Sequence, residues 1–302
     1  MKQFIATACM AGALFLPASG ALAADTVKLS HLLSIYSDEK NGDIKHPEGI
    51  ACSDKNQFVV ADSGNGRLVR FLVKEDGIAG GVEIKIPQLL YPIRLQYGPG
   101  GEILALDGKQ RRIVRIAPDG SFAGYLEFKG VPGEGAIIPR SFRVDTAGAV
   151  YLLDIFGERV IQLDPAGNFQ RQILFPAGYS FCSDLAVDGR GGIILLDSVR
   201  AMLYSVARDG AAFTPLTGEL HEYCSFPAAI TLDSRGAIYL SDRNDGGVVI
   251  IGPDGSFQRR QLNIGQKNGF LLYPGQICFD SRDTLFVADT ANSRVQLFNS
   301  GK

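Results

Sequence analysis

The chain has 302 residues, with 30 basic against 32 acidic side chains, a formal charge of −2, 46% hydrophobic residues, no tryptophan and three histidines. That near-neutral balance supplies no bulk attraction to nucleic acid or to an anionic membrane surface. Three histidines and the lack of any Cys-x-x-Cys pair leave little material for a zinc centre.

The chain opens on Lys2, an apolar stretch from Phe4 to Leu16, and a small-residue run from Pro17 to Ala23 that ends in Ala-Leu-Ala. This reads as a secretory signal peptide over residues 1–23, which leaves residues 24–302 as a single domain and predicts a periplasmic or secreted protein. The apolar stretch is too short to span a bilayer, and no later segment reaches about 18 uncharged apolar residues, so no transmembrane segment is predicted. Without residues 1–23, 29 basic side chains oppose 32 acidic ones, a formal charge of −3, and four cysteines remain: Cys52, Cys182, Cys224 and Cys278. An even number of cysteines in an oxidising compartment points to one or two disulfides.

A lone strand pattern, Val27 to Ile35, comes next. After it an aspartate closes an apolar run six times, at Asp62, Asp107, Asp154, Asp197, Asp242 and Asp289, with spacings of 45, 47, 43, 45 and 47. Fifteen positions before each aspartate stands a proline, Pro47, Pro92, Pro139, Pro227 and Pro274, except in the fourth copy, which has Cys182. Each copy gives an apolar strand after the proline, a tight polar turn such as Asp188-Gly189-Arg190-Gly191, a second strand running into the aspartate, and then a third. The second strands, such as Ile193-Ile194-Leu195-Leu196, are apolar throughout, so both their faces are covered. A period in the forties built from short strands predicts an all-β, six-bladed β-propeller of four-stranded antiparallel blades. The sixth copy ends with the chain, so the N-terminal strand is expected to complete the last blade and close the ring.

The repeat carries a family resemblance. Val-Ala-Asp-Ser-Gly-Asn-Gly-Arg-Leu-Val in the first copy and Val-Ala-Asp-Thr-Ala-Asn-Ser-Arg-Val-Gln-Leu-Phe in the sixth resemble the NHL repeat. Six such repeats imply a six-bladed propeller. Copies four and five depart from the pattern, with Met202 and Gly247 where Arg67, Arg112, Arg159 and Arg294 sit. Because the aspartates and arginines recur, they are assigned to the scaffold. Pairs such as Asp62-Arg67 are expected to brace the turn between strands, each contributing no more than about 1 kcal/mol where exposed.

Ligand specificity is therefore sought in what differs between blades. In a propeller, the loops before the first strand and after the second strand emerge on one face, around the channel. The two residues after each proline are expected to line that mouth, giving a mixed-charge ring of Glu48, Arg94, Arg140, Asp184 and Gln276, joined by Arg111 from the loop after the second strand of blade two. Arginines on blades two and three suit a carboxylate or phosphate held bidentately. Cys182 and Cys224 fall near this face on adjacent blades and are the disulfide candidate. Cys52 and Cys278 lie on the innermost strands of blades one and six, one residue out of register, and are expected to be buried free thiols.

These residues suggest a monomeric binding scaffold for a protein, a peptide or a small anionic ligand, with no cofactor. The alternative is a metal-dependent enzyme similar to lactonase or lyase propellers, with Glu48 and Asp184 as ligands. No Gly-x-Ser-x-Gly, P-loop or His-Glu-x-x-His motif supports nucleophilic, phosphoryl-transfer or zinc-hydrolase chemistry.

Overall fold

Six four-stranded antiparallel sheets make up the chain, which a computed structural model describes over residues 28–301 apart from 76 and 134. The segment read as a signal peptide lies outside the described residues. Each sheet is a blade whose innermost strand follows the repeat proline, or Cys182 in blade four. These inner strands are Gly49–Cys52, Pro92–Tyr97, Pro139–Val144, Cys182–Val187, Pro227–Leu232 and Ile277–Phe279. Each touches the inner strands on either side of it, and the last touches the first, so they surround a central axis. Ser30–Ile35 pairs antiparallel with Arg294–Asn299, which makes the N-terminal strand the outer strand of blade six. The expected closure of the ring is thus present.

The core is divided rather than single. Six buried apolar clusters occupy the six seams between neighbouring blades. This explains the unbroken apolarity of the second strands: in Ile193–Asp197, Ile193 and Leu195 pack toward blade three while Ile194 and Leu196 pack toward blade five. Period-two alternation is hidden because both faces are interior.

All six repeat aspartates are fully buried. Each accepts hydrogen bonds from the backbone N–H groups 16 or 17 residues upstream, in the segment that leads into its own blade. The spacing between proline and aspartate is therefore the length of chain that one carboxylate clamps. Arg67, Arg159 and Arg294 donate through Nε to Asp62, Asp154 and Asp289 at 2.7, 3.0 and 2.7 Å. Arg112 does not follow them. It pairs with Glu127 at 3.1 Å and lies 3.5 Å above the Tyr125 ring, leaving Asp107 to backbone donors alone. In blade five Gly247 leaves room for Arg260, from the outer strand, to reach within 3.6 Å of Asp242; a Cβ at Gly247 would lie 2.2 Å from the Arg260 guanidinium.

Hydroxyls next to these aspartates clasp neighbouring blades. Ser63, Ser198 and Thr290, each directly after its aspartate, donate to the carbonyls of Pro92, Pro227 and Pro47 in the next blade.

The disulfide joins Cys52 to Cys278 and not Cys182 to Cys224. Cys182 is packed in the seam between blades three and four and Cys224 in the seam between blades four and five, so blade four stands between them. Burial pushes the Cys224 thiol up to about 12 and raises Cys182 further. Cys52 and Cys278 face each other across the seam where the ring closes, with Cα atoms 5.9 Å apart, inside the range a disulfide needs. The one-residue offset does not prevent this, because inner strands of different blades pack side by side without a shared hydrogen-bond ladder that would fix their register. Among the described residues no helix is long and apolar enough to cross a membrane.

Candidate functional site

In blades two to five the inner strand slips register between the proline, or Cys182, and the residue two positions later. The residue between them bulges out of the ladder, a device that re-aims side chains. The first position after the proline then faces the upper mouth, where Glu48 and Arg140 stay partly exposed. The second points into the axis, and Arg94, Ser141, Asp184, Ala229 and Gln276 are almost completely buried. The predicted ring is thus two layers, a rim and a plug beneath it.

The plug spans every blade. Gln276 of blade six accepts at Oε1 from Ile50 N of blade one at 3.2 Å and Leu95 N of blade two at 3.0 Å, and donates from Nε2 to Leu95 O at 2.9 Å. Asp184 of blade four accepts from Ser141 Oγ at 2.6 Å and Leu185 N at 2.9 Å through Oδ1. Through Oδ2 it accepts from Arg143 at 2.9 Å and Ile230 N at 3.1 Å. Arg143 also donates to Ile230 O of blade five at 2.7 Å. Arg94 crosses the axis from blade two to Ala228 O of blade five at 3.4 Å. Arg143 was missed in the sequence, although an arginine inside an apolar inner strand signals a buried charge that must find a partner.

Above the plug, Glu48 of blade one meets Arg243 of blade five at 3.7 Å across the mouth. Tyr91 sits beside them, its hydroxyl raised by burial and then by the Glu48 charge, with Arg243 opposing. Arg140 lies 5.6 Å over the Phe181 ring and makes no hydrogen bond or ion pair within the described chain, and its buried Nε has no partner. Arg94 Nε is likewise buried and unpartnered. Burial pulls Arg94 down to about 10, against the pull of Asp184, and the Arg140 and Arg143 charges lower it further; burial also lowers Arg140. A guanidinium does not deprotonate in a protein, so both stay charged. Around this axis four guanidiniums, on Arg94, Arg140, Arg143 and Arg243, face two carboxylates, on Glu48 and Asp184. Arg111 is exposed on its loop with a left-handed φ of 56°, and no contact joins it to the others.

The residues named for a metal do not fit one. Each oxygen of Asp184 already accepts two hydrogen bonds, which uses the lone pairs a hard cation would need, and Glu48 is engaged with Arg243. Among the described residues, no group of three or more His, Cys, Asp or Glu side chains is placed to hold a metal ion.

Residues 45–71 match the family model of the NHL repeat. No curated protein matches the sequence. Among solved structures, a gluconolactonase from Xanthomonas campestris aligns with a TM-score of 0.67 at 15% identity, covering 92% of this chain and 96% of that one. Virginiamycin B lyase from Staphylococcus aureus aligns with a TM-score of 0.62 at 15% identity, covering 90% and 99%. The WD40 β-propeller domain of Doa1 aligns with a TM-score of 0.62 at 12% identity, covering 91% and 98%. At such identities the likeness is one of fold alone.

Proposed function

Because the chain is a six-bladed β-propeller carrying an NHL repeat, we propose that it is an exported binding module whose upper channel mouth holds the anionic group of a ligand or partner. The observation that carries this reading is the Arg140 guanidinium, largely withdrawn from water and, among the described residues, without a carboxylate or carbonyl partner. Burying an unpaired charge is costly, and a bound carboxylate or phosphate offsets that cost. The four-to-two excess of guanidinium over carboxylate at the axis supports the same sign of ligand. Export is supported by the disulfide and by the sequence of residues 1–23.

Thermal unfolding at constant ionic strength tests the proposal. Inorganic phosphate or succinate, replacing chloride, raises the Tm of the wild-type protein. Arg140→Gln weakens the fitted affinity about tenfold or more. Equal shifts in both proteins, or no shift in either, would remove the mouth as an anion site.

A further inference from the structure

The plug closes the channel midway, so the lower face has a chamber of its own. A cavity of about 680 Å³ opens there, lined by the lower ends of the inner strands and by the turns that follow them. Its size suits an organic ligand of ordinary dimensions. Arg143, tied to Asp184, lies against the lining, and the Cys52–Cys278 disulfide forms part of the wall.

Polar groups in this lining fall into two sets. The carboxylate of Asp145 is satisfied by Ala147 N, Ala149 N and the Tyr151 hydroxyl, that of Asp188 accepts from Arg190 N and Gly192 N, and the amide of Gln162 is held between Tyr151 and Arg171. In contrast, the Tyr97 hydroxyl is buried with no partner, and burial raises it well above its ordinary range. The side chains of Gln96, Thr231, Arg190 and Arg208 also line the cavity and make no hydrogen bond or ion pair within the described chain. The aliphatic part of Arg208 lies across Gly191, 3.3 Å from where a Cβ would stand, in a turn whose φ of 82° suits glycine. Arg208 itself is exposed, at the edge of the cavity.

The unspent groups define what complements them. Two guanidiniums call for a carboxylate, while an amide and two hydroxyls, which both donate and accept, call for groups that do the same. From the convergence of Gln96, Tyr97, Thr231, Arg190 and Arg208 on one closed-ended cavity, we propose a second ligand site on the lower face that binds a small hydroxylated carboxylic acid. Its carboxylate meets Arg190 and Arg208, and its hydroxyls meet Gln96, Tyr97 and Thr231. This site is separated from the upper mouth by the plug and stands or falls independently of it.

Calorimetric titration of the full chain with glucuronate and with tartrate, using acetate and chloride as controls, provides the test. Saturable binding of one of the two hydroxy acids is expected, with acetate giving none. Arg208→Gln, at an exposed position, weakens it about tenfold or more. Tyr97→Phe weakens it without lowering the Tm, because the hydroxyl it removes has no partner among the described residues. Arg140→Gln removes any binding of these carboxylates at the upper mouth, and a saturable lower-site heat remains in that variant. No saturable heat from either acid overturns the site, as does binding that survives both Arg208→Gln and Tyr97→Phe. Binding abolished by Arg140→Gln also overturns it and places the acid at the upper mouth.

Discussion

At the scale of single residues, position along the inner strand decides what a polar side chain does. Arg140 and Arg94 are adjacent in layer and similar in chemistry, yet one bulges toward the rim and the other is drawn into the plug. Asp184 looks from its sequence position like a ligand, but its four hydrogen bonds make it the counter-charge of Arg143. Removing that charge leaves a buried guanidinium uncompensated, so Asp184→Asn is expected to destabilise the protein by about 3 kcal/mol in denaturant unfolding. Unchanged stability would show that Arg143 finds its partner elsewhere. The sequence revealed these residues as chemically unusual and not which layer they occupy, since the bulge after the proline depends on backbone pairing that residue identity does not encode.

At the scale of elements, two devices close the ring at the same seam. The outer strand Ser30–Ile35 supplies hydrogen bonds at the rim, and the disulfide ties the innermost strands of blades one and six. The bridge spans 226 residues of sequence, and in the chain-entropy model such a loop contributes about 5 kcal/mol at most. Alkylation of unfolded, unreduced protein should label Cys182 and Cys224 but neither Cys52 nor Cys278, and in the native protein Cys182 and Cys224 should resist because both thiols are buried. Label on Cys52 or Cys278 without reductant would contradict this pairing.

The closing strand also carries a titrating group. Burial, then the Arg294 charge, hold His31 below its ordinary value of 6.5. Protonation therefore favours the unfolded chain: the contribution of His31 is complete above about pH 6.5 and lost as pH falls toward its folded value. Replacing His31 by Gln should flatten this part of the stability profile, whereas an identical profile would exclude His31 as its source. The existence of this strand was legible as a leftover strand with no copy of its own; the disulfide was not, because alignment gives register within a blade and not stagger between blades.

At the scale of the whole molecule, the repeat specifies a scaffold and its irregularities specify chemistry. The aspartate ladder made the blade count readable because each carboxylate clamps a fixed length of chain. Copy four's missing proline and copy five's missing arginine change local contacts without changing the ring, as the approach of Arg260 to Asp242 shows. The axis is not a pore: Gln276, Asp184, Arg143 and Arg94 join blades across it and leave two separate mouths. Sequence reading pointed to the upper mouth through its arginines and not to the lower cavity, whose lining mixes the repeated aspartate turns of blades three and four with strand ends from other blades. The measurement that bears most directly on this account is anomalous diffraction from crystals soaked in selenate. The account predicts selenium beside the Arg140 guanidinium above the plug; an upper mouth without selenium, with Arg140 paired to a carboxylate of its own chain, would contradict it.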